Sequence, residues 1–298
     1  MSQENNLLLA VDILQPLPTN KWPLLEDALR RDWPRFAYYH YWIRNAIDWR
    51  RKEPGIKLDV LCPEGNHDKG VFIGVSSYSM YMLIPFAFRE SRSLLFDCIA
   101  RTRRIDWKEP VIFAAVHEYF EDAVRNAIES MGLRVDDNGP SNYYFKPKEQ
   151  CLDEDIRVSE GLELRFLGES DVPVVHEHWP REEVKKEPNK STAYVATMVK
   201  LSRGVGLFDK ADGKLVAWAL QNEFGGLGNV QTVDECRGRG YAKVVVKALS
   251  KLLAEEGRDS TLFIVAGNSK SEGLFASLGY ELINAETFIV MKPLNAGK

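Results

Sequence analysis

Clustered cysteines and long apolar runs are both missing from this sequence. The four cysteines, Cys62, Cys98, Cys151 and Cys236, lie at least 36 residues apart, so none forms the C-x-x-C pair of a compact metal site. That usage predicts reduced thiols in an intracellular protein. The longest apolar run, residues 78–88, is interrupted by Pro85 and is shorter than the roughly 18 residues that span a bilayer.

A strong excess of charge is also missing. The 298 residues include 39 Lys and Arg against 43 Asp and Glu, a net charge of -4. Such a balance predicts neither a nucleic-acid nor a membrane partner, because nothing attracts phosphate backbones over the whole surface. The first residues, MSQENNLLLAVDILQPL, lack the basic segment of a secretory signal and the arginines of a mitochondrial presequence. The expected location is therefore the cytoplasm.

Turn-forming residues indicate a boundary near the middle of the chain. Residues 135–150 (VDDNGPSNYYFKPKEQ) are rich in turn formers, and residues 151–161 are polar and acidic. Together they read as the end of one domain and a linker. We predict two domains, residues 1–155 and 156–298.

The second domain has a clear order of strands and helices. Apolar periodicity and the Asp212-Gly213 hairpin signal predict β-α-α-β-β-β-α-β-α-β-β, ending in two short strands over 280–284 and 287–293. This order predicts a mixed α/β sheet rather than a doubly wound one. In the first half, the aromatic segment 38–50 (YYHYWIRNAIDWR) is interpreted as a strand running into a turn.

An arginine- and glycine-rich segment, Arg237-Gly238-Arg239-Gly240, precedes a helix that begins near Tyr241. A helix N-terminus has backbone N–H groups without partners and a partial positive charge. The glycines permit unusual backbone angles and close approach of a ligand, and the arginines add forked donors. The segment is suited to holding a phosphate or pyrophosphate. The alternative is a glycine-rich turn whose arginines are merely solvated.

Two motifs in order resemble those of the GCN5-related N-acetyltransferase (GNAT) superfamily. Arg237-Gly238-Arg239-Gly240-Tyr241-Ala242 fits the pattern Arg/Gln-x-x-Gly-x-Gly/Ala of its acyl-CoA pyrophosphate loop. The later series Asn268-x-x-Ser271-x-x-x-Phe275-x-x-x-Gly279-Tyr280 resembles its second signature. The resemblance implies a mixed, mostly antiparallel sheet of GNAT type. It also implies that Asn268 and Ser271 line the cofactor groove, and that a backbone N–H near Thr232 or Val233 binds the thioester carbonyl.

Segments of the first half resemble one particular branch of this superfamily. The segments LDVLCPEG (58–65) and RIDWKEPVIFAAV (104–116), together with the length of the chain, resemble the glycine N-acyltransferase-like branch. That branch implies two tandem copies of the fold, of which the N-terminal one is degenerate, and leaves a mitochondrial location open. The implied activity is direct transfer of an acetyl or other acyl group from CoA to the primary amine of a small amine or amino acid, without a metal.

The catalytic groups depart from the family pattern. The usual tyrosine acid is replaced by Phe275, and the glutamate of the branch aligns with Gly226. Glu223 is the candidate base, with a solvated hairpin residue as the alternative. Asp234 is expected to serve a turn or a cap, because a carboxylate would repel a pyrophosphate, and Tyr241 is expected to be a core residue. A second function therefore stays open, a non-catalytic acyl-CoA-binding or interaction protein that has lost its acid and base.

Other polar groups are assigned to the surface. His176 and His178 have no apparent third ligand for a metal. The basic residues of 89–104 are a solvated face or a binding edge for an acidic partner. The five tryptophans of the first half are expected to anchor the core and the domain interface: Trp22, Trp33, Trp42, Trp49 and Trp107.

Overall fold

The computed structural model describes residues 11–179 and 187–292. The strands in these ranges are β1 Leu14–Pro16, β2 Leu58–Pro63, β3 Val71–Ser76, β4 Met82–Ala87, β5 Val111–His117, β6 Arg134–Lys146, β7 Leu162–Phe166, β8 Gly204–Asp209, β9 Leu215–Gln221, β10 Leu227–Thr232, β11 Ser260–Val265 and β12 Glu281–Lys292. The helices are α1 Trp22–Ala28, α2 Ala37–Lys52, α3 Arg92–Arg101, α4 Glu121–Ser130, α5 Lys148–Leu152, α6 Val172–Glu177, α7 Pro188–Leu201, α8 Tyr241–Glu255 and α9 Ser269–Ala276. Within the described ranges, every helix is too short or too polar to cross a bilayer.

All twelve strands form one sheet in the order β1-β2-β3-β4-β5-β12-β6-β11-β10-β9-β8-β7. Neighbouring strands are antiparallel except for two parallel pairs, β4 with β5 and β10 with β11. The predicted mixed, mostly antiparallel α/β sheet is confirmed. Five strands on each side repeat the same pattern, as expected for two tandem copies of one fold.

The two halves exchange strands at the centre of this sheet. β6, from the first half, pairs with β11 over Ser141–Lys146. β12, from the second half, pairs with β5 of the first half. β6 and β12 then pair with each other from Phe145 and Glu281 to Arg134 and Lys292. The fifth strand of each half is therefore completed by the last strand of the other.

The segment predicted to be turns and linker is mostly strand. Residues 134–146 form β6, so the turns expected over this part of the segment were wrong. Pro140 is tolerated because β11 pairs with β6 only from Ser141 onward, which leaves the earlier part of β6 with β12 as its pairing neighbour. The two closing strands are likewise one strand, β12, with register shifts along its length. The domain limits at 155 and 156 stay a prediction.

The aromatic segment predicted as a strand is the helix α2. Ten of its sixteen residues are buried, since it packs between the two halves. Arg44 and Asn45 donate hydrogen bonds to the carbonyls of Glu256 and Glu223 in the second half, at 3.1 and 3.2 Å. A helix covered on most sides shows no single apolar stripe, so β-favouring aromatic residues dominated the sequence pattern.

The opening between β4 and β5 is filled by aromatic side chains. These strands pair at Met82 and Leu83 and are bridged farther along by residues at the start of α2. The Phe36 ring lies 5.1 Å from Phe86 of β4 and 5.2 Å from His117 of β5, and Tyr39 lies 5.0 Å from Phe86. The space between β4 and β5 in the first half is therefore filled, whereas the equivalent space between β10 and β11 in the second half is open.

Strand exchange predicts that the two halves stay together after the chain is cut. Residues 157–160 connect α5 to β7 and are exposed, so a protease site can replace them. We expect the two fragments to elute as one species in native size-exclusion chromatography and to unfold in one transition, because each completes the sheet of the other. Fragments that separate without denaturant would contradict the exchange.

Candidate functional site

The loop between β10 and α8, residues 233–240, is open at the helix tip. Gly238 and Gly240 have φ angles of 78° and 79°, a region that disfavours residues with side chains. Among the described residues, apart from the two chain neighbours of each glycine, no heavy atom lies within 4 Å of the position that a Cβ would take there. In the same part of the chain, no side chain caps the N-terminus of α8, which begins at Tyr241. The amide groups of this tip are therefore accessible to a ligand.

Both arginines of the loop fold back on it. Arg237 donates to the Thr232 carbonyl at 3.3 Å and forms an ion pair of 2.6 Å with Asp234. Arg239 donates to the Glu235 carbonyl at 3.3 Å. Asp234 opens a short 3-10 turn, in line with its expected role. The Arg237 and Asp234 side chains are both more than half exposed, so a ligand with negative charge can replace the carboxylate.

The remaining residues predicted to hold a cofactor lie at the same edge of the sheet. β10 and β11 are parallel, so the chain segments that follow them meet beside each other. Asn268, after β11, accepts a hydrogen bond from the Ser271 amide at 3.2 Å and caps α9. Tyr241 is half-buried and packs against the core under α8, and Ala242 follows it in the first turn of that helix.

The amide predicted to bind a thioester carbonyl is occupied. The Val233 N–H donates to the Val216 carbonyl at 3.0 Å, so this role does not fit Val233. Thr232 is buried, and its hydroxyl has no partner among the described residues. The register of β10 against β9 shifts between Gly228 and Gln231, which takes Asn229 and Val230 out of the ladder. This bulge was not predicted from the sequence, although Gly228-Asn229 is a local signal for it.

A cavity of about 180 Å³ lies beside the bulge. The pairing of β10 with β11 is confined to Leu227 and Leu262, and the cavity lies where the two strands begin to separate after this pair. Its walls belong to α7, the ends of β9 and β10, and the middle of β11 and β12, and are mostly apolar or aromatic. The lining residues are Trp179, Tyr194, Val195, Met198, Leu220, Asn222, Phe224, Leu227, Gly228, Asn229, Phe263 and Phe288.

Glu223 does not line this cavity, but the residues before and after it in sequence, Asn222 and Phe224, do. The Glu223 side chain is 2% exposed, which rules out a solvated hairpin residue. One carboxylate oxygen accepts hydrogen bonds from the Tyr78 hydroxyl at 2.8 Å and from Ser76 at 3.4 Å. The other, Oε1, is buried without a partner among the described residues. Burial raises the pKa of Glu223 to about 7, and the two hydroxyl groups oppose that rise.

The family positions for an acid and a base are both filled by structural residues. A Cβ at Gly226 would collide with the hydroxyl and the backbone of Thr261, so no glutamate fits there. Phe275 is buried and packs edge-on to Tyr280 at 5.2 Å. The Tyr280 hydroxyl is bonded to Ser250 and Ser260 at 2.7 and 2.6 Å.

The two histidines are engaged in local contacts. His176 bonds to the Ser191 hydroxyl at 2.7 Å, and His178 to the Val174 carbonyl at 3.0 Å. Across the described ranges, His, Cys, Asp and Glu side chains do not gather in threes or more as a metal site requires. All four cysteines are free thiols in this structure.

The basic residues of 89–104 are distributed among separate contacts. The Arg92 guanidinium pairs with Asp122. Arg89 lies over the Tyr119 ring at 5.2 Å, and Arg104 donates to the Leu14 carbonyl at 2.6 Å. All five arginines of this segment are exposed, so a solvated face and a binding edge for an acidic partner both stay predictions. The five tryptophans belong to the core, where Trp22, Trp42 and Trp49 are at most 2% exposed and the others pack against it.

Comparisons with known proteins agree on the fold. Residues 204–289 match a family model described as FR47-like protein, which covers less than half of the chain. A Drosophila protein of known structure superposes with a TM-score of 0.85 at 22% identity, over 95% of this chain and 99% of that one. No curated protein matches the sequence.

Two further structures carry family names. A tandem GNAT protein from the clavulanic acid biosynthesis pathway has a TM-score of 0.52 and 14% identity, over 93% of this chain and 97% of its own. A GCN5-related N-acetyltransferase from Sphaerobacter thermophilus has a TM-score of 0.50 and 13% identity, over 94% of each chain. At these identities the likeness shows the fold alone, a large mixed α/β sheet like those of these GNAT proteins.

The buried carboxyl of Glu223 predicts a pH-dependent stability. Its pKa in the folded chain is about 7 against an ordinary 4.5, so its contribution to stability is present below pH 4.5 and is lost as pH rises through 7. We expect Glu223→Gln to raise the free energy of unfolding more at pH 8 than at pH 5. The difference between the two effects is up to about 3 kcal/mol.

Urea denaturation of the two proteins at both pH values measures this difference. The matched control is Glu235→Gln, whose side chain is exposed in the 233–240 loop and which we expect to alter stability equally at both pH values. An equal effect of Glu223→Gln at pH 5 and pH 8 would contradict the raised pKa.

Proposed function

We propose that the chain is an acyl-CoA-dependent N-acyltransferase of the glycine N-acyltransferase-like branch, acting on the primary amine of a small molecule. The observation that carries this proposal is the open helix tip at Gly238 and Gly240, joined by β10 to the apolar cavity. From Asn229 to Thr232 a strand rises about 10 Å, a distance that a pantetheine arm can span. The residues therefore fit both ends of an acyl-CoA.

The diphosphate end would be held by the loop. Amide groups at the N-terminus of α8 and the guanidinium groups of Arg237 and Arg239 supply donors and positive charge. A phosphate can replace the Asp234 carboxylate as the partner of Arg237, since both side chains face solvent. Asn268 and Ser271 flank the same edge from the β11 side.

The acyl end would lie at the bulge in β10. Asn229 has a positive φ of 48°, and with Val230 it lies outside the regular β9 ladder. Backbone N–H groups released from a ladder can stabilise the negative charge that develops on a carbonyl oxygen during acyl transfer. We assign the carbonyl donor to this pair in place of Val233.

Glu223 is the proposed general base. An acceptor amine must lose a proton as the new C–N bond forms and the C–S bond of the thioester breaks. The unpartnered Oε1 of Glu223 can accept that proton through a bridging water behind Asn222 and Phe224. A pKa of about 7 suits the role, because the group is then partly ionised at neutral pH.

A second candidate function is a non-catalytic acyl-CoA binder. It is favoured by Phe275, which is buried in the core and cannot donate a proton, and by Gly226, which has no room for a glutamate. Binding and turnover, measured separately, distinguish this candidate from the enzyme.

The loop assignment predicts a selective loss of CoA affinity. Arg237→Ala removes a charged hydrogen-bond donor, and Gly240→Asp adds a side chain and negative charge at the helix tip. Each substitution is expected to raise the Kd for CoA about tenfold to hundredfold, as measured by calorimetry. An unchanged Kd in both variants would show that the loop does not hold CoA.

Gly213→Asp is the matched control for Gly240→Asp. Gly213 has a φ of 73° and equally open surroundings, but it lies in the β8–β9 hairpin rather than at the helix tip. We expect this variant to keep the wild-type Kd. ATP serves as a second ligand, and an affinity for ATP equal to that for CoA would indicate a nucleotide-binding module instead.

Turnover is tested with acetyl-CoA and longer acyl-CoAs against a panel of amines and amino acids. We expect one equivalent of free thiol for each equivalent of N-acyl product detected by mass spectrometry. The rate should fall as pH drops below about 7, because Glu223 becomes protonated. CoA binding without product across the panel would support the non-catalytic binder.

A further inference from the structure

Tyr78 joins the first half of the chain to the candidate site. It lies in the connection between β3 and β4, far from the cavity in sequence. Its hydroxyl donates to Glu223 Oε2 at 2.8 Å. Its ring lies 6.4 Å from the ring of Tyr194 on α7, with the two planes only 12° apart. One side chain therefore contacts both the proposed base and a residue that lines the cavity.

These two contacts lead to different walls of the cavity. Tyr194 contributes from α7, where it also lies 5.3 Å from the ring of Trp179. Asn222 and Phe224, on either side of Glu223 in sequence, contribute from the connection between β9 and β10. Tyr78 does not line the cavity itself. Its contacts fix the positions of two walls relative to each other.

Tyr78 is held in place by other residues of the first half. The Trp49 ring of α2 meets it edge-on at 5.7 Å. Ser76, fully buried on β3, donates to the same carboxylate oxygen at 3.4 Å. Asn45 of α2 donates to the backbone carbonyl of Glu223 at 3.2 Å. The first half thus holds both the side chain and the backbone of Glu223.

We propose that Tyr78 is a positioning residue for acyl transfer, which holds the Glu223 carboxylate and the Tyr194 wall in register, so that the N-terminal half completes the site. This inference rests on the proposed function. Tyr78 exchanges no proton in the reaction. It donates a hydrogen bond to Oε2 while Oε1 accepts the proton that the attacking amine loses, and the leaving CoA thiolate is protonated by water.

The hydrogen bond from Tyr78 stabilises the ionised form of Glu223. The hydroxyl groups of Tyr78 and Ser76 lower its pKa against the effect of burial. Two other polar groups are close in the fold. Asn45 is bonded to the backbone carbonyl of Glu223 rather than to its carboxylate, and the Arg258 guanidinium lies against Gly225. Removal of the Tyr78 hydroxyl should therefore raise the pKa of Glu223 farther above its ordinary range. A general base works only when it is ionised. As the solution is acidified, the variant should therefore lose activity at a higher pH than the wild-type protein does.

Tyr78→Phe tests this inference, because it removes the hydroxyl and keeps the ring beside Tyr194. The measurement is kcat/KM for the acylated amine from pH 5.5 to 9. We expect the acid limb of the profile to move upward by about one pH unit, while the Kd for CoA stays at the wild-type value. Ser76→Ala should move the limb in the same direction by less, since its hydrogen bond is longer.

Tyr81→Phe is the matched control in the same connection. Its hydroxyl bonds to the backbone of Asp106, so its removal should leave the acid limb in place. Tyr78→Leu also removes the ring, and we expect it to raise the KM for the amine in addition to moving the limb. That split between KM and the pH profile separates the wall contact from the hydrogen bond.

The outcomes separate this inference from the proposed function. A wild-type protein that binds CoA but forms no product overturns the enzymatic proposal. A wild-type protein that forms product, together with a Tyr78→Phe limb at the wild-type pH, overturns the positioning role alone. If Tyr78→Phe fails to fold, Ser76→Ala decides the same question through the other hydroxyl on Oε2, and an unmoved limb in that variant also overturns the role.

Discussion

The pairing of β6 with β12 is the interaction on which the rest of the structure depends. Each strand is inserted beside the fifth strand of the opposite half, so neither half has a complete sheet of its own. This arrangement turns two copies of one fold into a continuous sheet of twelve strands. It also fixes the distance between the halves, and thereby allows Ser76 and Tyr78 of the first half to contact Glu223 of the second.

Within this common frame the two halves have diverged at equivalent openings. In the first half, Phe36 and Tyr39 fill the space beyond the paired part of β4 and β5. In the second half, β10 and β11 separate beside the cavity, and no side chain of the described residues caps the adjacent helix α8. Helix α2 contacts both openings. Its first turn closes the opening between β4 and β5, and its middle supports the loop beside the opening between β10 and β11. The first half thus supports a wall of the cavity in the second half.

Local patterns in the sequence predicted most strands and helices of the second half and the open loop before α8. Glycines at 238 and 240 before an amphipathic run specify an open helix tip through backbone chemistry alone. The errors arose where distant contacts decide. β6 contains Asn138, Gly139 and Pro140, yet it is a strand because β12 pairs with it. The burial of Glu223 depends on side chains about 145 residues earlier, and no local pattern reports such a contact.

Strand exchange also has a consequence for how the chain is made. Glu286 of β12 pairs with His117 of β5, about 170 residues earlier, so β5 waits with a bare backbone edge while nearly everything between them is synthesised. An unpaired edge is a template for association with other chains, and contacts between such distant residues form slowly. A chain that stops just before β12 would therefore leave β5 of the first half, as well as β6, with an unpaired edge.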